Sequence, residues 1–264
     1  MRCITLIVML FGLAARAMAG AVAHWTFEEG AIGAVADGAA AVLDQTGSHS
    51  GTPIGSPVYR SAPTPTGGAV GLEFPAGPDR VFVPDSGDFA LTSLTIEAFI
   101  VPPPASSHYS LVFLRGDDRV GYDPYSLQYN QDGNGKVAFD IGAGTDHSRI
   151  YSAPLTPGQI VHVAGTFDSA TGQEKLYINH EPVATTATSL RPLQTLTGAN
   201  PGLGIGNNQT GTFGGENFPG IIAEVRLSNV ALTPDQFLPV PEPATQLLMI
   251  LAAIGWFLRR HRAA

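Results

Sequence analysis

A chain of 264 residues has room to bury a sizeable core in one large β domain or two small ones. Its 31 Gly and 21 Pro beside only 14% charged residues argue against a helical bundle and for short segments joined by many turns. The formal charge of -8 understates the acidity of the body, because Arg2, Arg16, Arg259, Arg260 and Arg262 all lie near the ends; a body lacking a basic footprint excludes nucleic acid as an expected partner.

The first predicted element is a targeting segment. Met1 and Arg2 give a minimal positive start, residues 4–13 are apolar, and Ala17-Met18-Ala19 supplies an A-x-A cleavage signal before Gly20. The apolar run falls short of the roughly 20 residues that a membrane span needs. The pattern predicts a cleaved secretory signal over residues 1–19, with Ala21-Val22-Ala23 as a second possible cut. Cys3, the only cysteine, lies inside it, so the mature chain is expected to carry neither a disulfide nor a thiol nucleophile.

From residue 20 to 239 the apolar residues alternate in short runs bounded by Gly, Pro, Asn and Asp. VAHWTF (22–27), YSLVFLR (109–115), YSLQYN (125–130), KVAFDIG (136–142), EKLYINH (174–180) and GIIAEVRLS (220–228) read as strands. LTIEAFIV (94–101) sets Leu94, Ile96, Ala98 and Ile100 on one face, with Glu97 and Phe99 on the other. IVHVAGTF (160–167) aligns Val161, Val163, Gly165 and Phe167 against His162, Ala164 and Thr166. QDGNGKV (131–137) and DSATGQEK (168–175) are predicted hairpin turns. The Pro- and Thr-rich SPVYRSAPTPTGG (56–68) reads as an exposed loop. About a dozen short strands in a single domain indicate an all-β sandwich.

Four blocks in order resemble the laminin G-like branch of the concanavalin A-like lectin/glucanase jelly rolls. They are AHWTFEEG with VLDQTGSHSGTPIG, GLEFPAGPDRVFVPDSGDFALTSLTIEAFI, IVHVAGTFDSATGQEKLYINHEPVA, and GLGIGN with FPGIIAEVRLSNVALTPDQF. The resemblance implies a two-sheet antiparallel jelly-roll sandwich, with the first and last strands adjacent in one sheet. It also implies a calcium ion held near the opening block and last strand, for which Glu28 and Asp44 are the candidate ligands; Asp44 equally suits a turn cap. Phe99 stands where the family pattern has Trp, Gln159-Ile160 where it has an aromatic, and His180 where it has Gly. Ala223 replaces an acid, which removes one anionic oxygen from any calcium site.

Catalysis by this fold's glucanases needs paired carboxylates on one strand face. TIEAFI, KVAFDI and GIIAEVRL each carry one acid, and the neighbours Asp117-Asp118 and Glu28-Glu29 point to opposite faces, so no catalytic residue is predicted. His162 reads as a hydrogen-bonded structural residue. Sugar rings pack on exposed aromatic faces, and Tyr109, Tyr122, Tyr125, Tyr151 and Phe213 form the pool for such contacts. The expected function is non-catalytic glycan binding or adhesion; a polysaccharide-active enzyme and a ligand-free spacer are the alternatives.

The C-terminal residues 240–264 read VPEPATQLLMILAAIGWFLRRHRAA. Residues 244–258 form an apolar run about 22 Å long as a helix, short against a hydrocarbon core of roughly 30 Å. Arg259, Arg260 and Arg262 then hold that end in the cytoplasm and the body outside. Pro241, Glu242 and Pro243, the apolar run and the basic tail together resemble the PEP-CTERM sorting signal. The resemblance implies recognition by an exosortase of a Gram-negative bacterium, transient anchoring in the inner membrane, and delivery to the cell surface or extracellular matrix. A biofilm exopolysaccharide is the partner it suggests.

Overall fold

The computed structural model describes residues 20–104, 109–130, 133–211 and 216–240. The signal (1–19), the sorting motif Pro241, Glu242 and Pro243, the apolar run 244–258, the basic tail Arg259, Arg260 and Arg262, and Phe213 lie outside them. No helix among the described residues is long and apolar enough to cross a membrane.

In chain order the strands are β1 (Ala21–Trp25), β2 (Thr52–Ile54), β3 (Val58–Ser61), β4 (Val70–Glu73), β5 (Arg80–Pro84), β6 (Leu94–Val101), β7 (Ser110–Gly116) and β8 (Tyr125–Tyr129). There follow β9 (Lys136–Ala143), β10 (Asp146–Pro154), β11 (Val161–Asp168), β12 (Gln173–Ile178), β13 (Glu181–Ala187), β14 (Gly202–Ile205) and β15 (Ile221–Ser228). They form two antiparallel sheets packed as a jelly-roll sandwich. One has eight strands in the order β13-β12-β11-β6-β15-β4-β3, with β1 also on β15; the other has seven, β10-β9-β8-β7-β14-β5-β2. The opening strand therefore lies on the closing one, Trp25 opposite Val225 and Ala21 opposite Ser228.

Period-two alternation explains the core. Leu94, Ile96, Ala98 and Ile100 of β6, with Val161, Val163 and Phe167 of β11, meet Phe113, Leu127, Phe139 and Ile141 of the other sheet. Gly165 makes a socket in this interface: a Cβ built on it would lie 2.1 Å from Cδ2 of Phe139. A bulge at Ala223 interrupts the β15–β6 register, so that Glu224 pairs with Phe99 while Ile222 pairs with Ile100. At the β12–β13 hairpin, Asn179 and His180 both take positive φ, 50° and 71°. His180 thus adopts the conformation that its glycine counterpart in the family pattern would adopt freely.

Two expectations are corrected. The 56–68 segment contains β3, whose Tyr59 is buried and pairs with Leu72, because Val58-Tyr59 supplies a strand nucleus between the prolines. Tyr125, one of the pool of aromatics for sugar contact, is not exposed: it is fully buried in β8, and its hydroxyl donates to the carbonyl of Phe89 at 2.9 Å.

Beyond β15 the chain turns back as a strap over the outer face of the eight-stranded sheet. Phe237 and Leu232 pack with Ala164 and Tyr177, and Leu238 packs with Ala62, Phe99 and Ala223. The apolar side of Ala223 is accounted for here, as floor beneath Leu238. Both sheets and their shared core fall within 20–240, the condition under which a span can fold on its own.

Candidate functional site

The strap separates two cavities of about 740 and 780 Å³. Most of the polar groups that line them already satisfy one another. His24 Nε2 lies 2.7 Å from Glu224 Oε1, and Thr66 donates to Glu224 Oε2 at 2.5 Å. Glu97 accepts from Arg226 Nε at 2.6 Å, from the Leu238 N–H at 2.8 Å, and faces His162 Nε2 at 3.0 Å. His162 is thus a buried structural histidine. Glu97 and Glu224 share one sheet face, but each is held in its own network.

Unpartnered buried polar atoms occur on both sheets, His162 Nδ1 among them, but on the outer face of the seven-stranded sheet several are gathered together. Alternation directs Ser126 and Gln128 of β8 and Asp140 of β9 away from the core, with Arg149 of β10 in register with Asp140. All but Arg149 are nearly or fully buried. Asp140 Oδ2 receives Arg149 Nη2 at 3.1 Å and Gln128 Nε2 at 3.3 Å, and lies 2.9 Å from His147 Nδ1. Among the described side chains, Asp140 Oδ1, Gln128 Oε1, Arg149 Nε and Gln209 Oε1 are buried with no hydrogen-bond partner. Such atoms are costly unless water or a ligand meets them.

His147 shows the electrostatics of this face. Its Nδ1 faces a carboxylate, and its Nε2 lies 3.0 Å from the carbonyl of Gly121. Neither acceptor can donate, so both ring nitrogens bear hydrogen in the best arrangement. The hydrogen bond to Asp140 accordingly raises the imidazole pKa, against the opposing effect of burial.

Beside this cluster, the 117–123 loop roofs a cavity of about 100 Å³ that Tyr109, Asp117, Arg119, Asp123, Asn208, Gln209 and Glu216 help to line. Burial, with repulsion from Asp140, Glu216 and Asp117, pushes the Asp123 carboxyl up to about 7 despite His147 nearby. Burial likewise raises Glu216, which accepts from Asn208 Nδ2 at 2.7 Å. Two glycines make the seat: a Cβ on Gly142 would lie 2.3 Å from the Asp123 carbonyl, and one on Gly116 would lie 2.6 Å from its Oδ1.

The sequence-derived candidates scatter. Asp117 and Asp118 do not diverge as expected: both reach the 198–199 turn, accepting from Gly198 N at 2.9 Å and Ala199 N at 2.6 Å. Of the aromatic pool, Tyr109 lines the cavity, Tyr122 lies under Arg119 at 3.9 Å, and Tyr151 stands part-exposed in register with Ala138. The sequence does not mark Asp123 and Glu216, because acids in irregular segments carry no periodic signal, nor His147, whose partner Asp140 stands on the neighbouring strand.

Glu28 and Asp44 do not fit a calcium site. Asp44 accepts from the backbone of His24, Thr46, Ser48 and His49 and from the Thr46 hydroxyl, at 2.5–3.1 Å. Burial alone would raise its carboxyl; these bonds outweigh it and hold the group below the usual carboxylate range. Glu28 Oε1 accepts from Ala69 N and Val70 N at 2.7 and 2.9 Å. Each carboxylate fastens a turn, and no group of three or more His, Cys, Asp or Glu among the described residues is placed to hold a metal ion.

Known proteins share this architecture. A search of curated proteins found no match. Domain 4 of AbnA, a GH43 extracellular arabinanase from Geobacillus stearothermophilus solved with arabinotriose, is similar at 21% identity and TM-score 0.59, covering 83% of this chain and 96% of that one. The CBM40 of Ruminococcus gnavus IT-sialidase, bound to α2,3 sialyllactose, is similar at 20% identity and TM-score 0.50, covering 63% and 92%. Trypanosoma rangeli sialidase is similar at 18% identity and TM-score 0.55, covering 82% of this chain but only 32% of its own. At these identities the likeness concerns the fold. The family model of the concanavalin A-like lectin/glucanases superfamily, in its laminin G-like form, matches residues 75–237, and the chain belongs to that family.

Proposed function

We propose that this protein is an exported glycan-binding module whose ligand lies on the outer face of the seven-stranded sheet. The observation that carries the reading is the set of buried, unpartnered polar atoms on that face, Asp140 Oδ1, Gln128 Oε1 and Arg149 Nε, beside the part-exposed Tyr151. A sugar supplies hydroxyls for the first and an apolar ring face for the second. The similar arabinanase domain and CBM40 were solved with oligosaccharides, which supports a glycan as ligand. Export by the segment 1–19, and sorting by an exosortase through Pro241, Glu242 and Pro243 with the basic tail Arg259, Arg260 and Arg262, would deliver it to the cell surface or matrix, where exopolysaccharide is the natural partner.

A glycan array on residues 20–240 tests the binding. Retention of at least one oligosaccharide, lost in Tyr151→Ala and Asp140→Asn, supports it; silence across the array overturns it. Sorting is tested separately. Co-expression with an exosortase should remove the tail from the full chain and spare a variant lacking Pro241–Pro243.

A polysaccharide-active enzyme remains the second reading, on one observation: Asp123, with its carboxyl near 7, shares a cavity with Glu216. Release of reducing ends from a polysaccharide, abolished by Asp123→Asn, would establish it.

A further inference from the structure

The small cavity beneath the 117–123 loop has a composition that selects among glycans. Four carboxylates converge on it and its neighbourhood, those of Asp117, Asp123, Glu216 and Asp140. Two guanidiniums are present, and both are already engaged: Arg119 with Asp117, and Arg149 with Asp140. His147 is likewise held by Asp140. Among the described residues neither Asp123 nor Glu216 forms an ion pair: His147, bound to Asp140, only partly offsets the charge at Asp123, and Glu216 accepts from the neutral Asn208 amide.

A second, independent observation points into the same space. Gln209 is 3% exposed, lines the cavity, and its Oε1 has no hydrogen-bond partner. Over Gly116 its Oε1 and Asp123 Oδ1 crowd together, 3.3 and 2.6 Å from the position a Cβ would take. Both acceptors thus border the same glycine. A volume of about 100 Å³ is too small for a pyranose ring, but it admits a single substituent carried on a ring that rests at the rim.

We propose that this cavity takes the ammonium group of an amino sugar, so that the protein prefers a glycan with free amines over N-acetylated, neutral or carboxylated ones. The inference rests on the glycan-binding reading and sharpens it to a ligand class. Ammonium supplies three donors and a full positive charge, matching Asp123, Glu216 and the Gln209 carbonyl oxygen. A carboxylated sugar meets like charge there, and an acetamido group lacks the positive charge. Burial, and after it repulsion from Asp140, Glu216 and Asp117, raises the Asp123 carboxyl, and a bound cation would favour its charged form.

Calorimetric titration of residues 20–240 with glucosamine oligomers, their N-acetylated counterparts and oligogalacturonate tests this, at a pH where the amines are charged. The free-amine oligomer should bind about ten-fold or more tightly than the others. Asp123→Asn and Glu216→Gln should each erase that preference and keep the residual affinity, with melting temperatures confirming the fold. The exposed Asp37→Asn should leave the preference intact, which separates the cavity from general attraction to an acidic body. Equal or tighter binding of the acetylated or carboxylated oligomers, or a preference that survives Asp123→Asn, overturns the inference while glycan binding stands. Failure of every oligomer, together with a silent glycan array, removes both.

Discussion

The Glu97 carboxylate, fully buried on β6, accepts the backbone N–H of Leu238, 141 residues further along the chain, at 2.8 Å. One side chain therefore ties the central part of the eight-stranded sheet to the strap that crosses it. Burial alone would raise this carboxyl, but His162, Arg226 and the Leu238 amide outweigh that and hold it below its usual range. A depressed carboxyl stabilises the fold above its unfolded pKa, and that stability is lost as pH falls through the lower folded value. Glu97→Gln should cost about 3–5 kcal/mol near neutrality, because it removes the buried charge that His162, Arg226 and the Leu238 N–H all address. Urea denaturation from neutral to acid pH should show the gap to the wild type narrowing as the wild type loses the same contribution.

Glu174 on β12 predicts the opposite slope. Burial pushes its carboxyl up to about 7, against a modest lowering by Ser148. A raised carboxyl is tolerated while protonated, and stability falls as pH rises through the folded value. Glu174→Gln should leave the protein unchanged at pH near 4 and stabilise it at pH near 8 by up to about 3 kcal/mol. Thermal melts at the two pH values check this, and a variant destabilised at both would refute it.

Packing gives a third prediction. Gly165→Ala places a methyl into the ring of Phe139, in a core where neither sheet can yield locally. A cost of about 1–3 kcal/mol is expected, read from chemical denaturation. Phe139→Leu in the same chain should restore part of it, since a smaller side chain opens the socket.

His147 is the reporter for the candidate site. Its pKa is raised chiefly by the hydrogen bond to Asp140. Asp140→Asn should lower it, observable as an earlier loss of the imidazolium signal in an NMR titration as pH rises. The same substitution should weaken glycan binding, tying the two measurements to one atom.

Much of the sandwich was legible from alternation alone. Leu94, Ile96, Ala98 and Ile100 declare the inner face of β6, and 168–175 declares its hairpin, because both signals are local and periodic. The sequence marks Tyr125 as the start of a strand but not as buried, because the Phe113 and Phe89 that meet it come from other segments. The candidate site was less legible still. Asp123 and Glu216 stand 93 residues apart in irregular segments, and only the folded sheet brings them to one cavity. The strap falls largely within the fourth resemblance block, but its path over the sheet was not legible, since a short irregular segment has no period of its own.

The strap also determines how the domain would bear tension. A pull on Val240 is not passed straight to β15: it must first strip Leu238 from Glu97 and Phe237 from Tyr177. Only then does it reach a strand clamped by β6 on one side and by β1 and β4 on the other. Peeling the strap is a graded loss of small contacts, whereas shearing β15 breaks many ladder bonds together. A tether leaving from this point would have a compliant fuse in series with a stiff clamp, and the opposite sheet, with its polar cleft, would stay undeformed while the fuse gives.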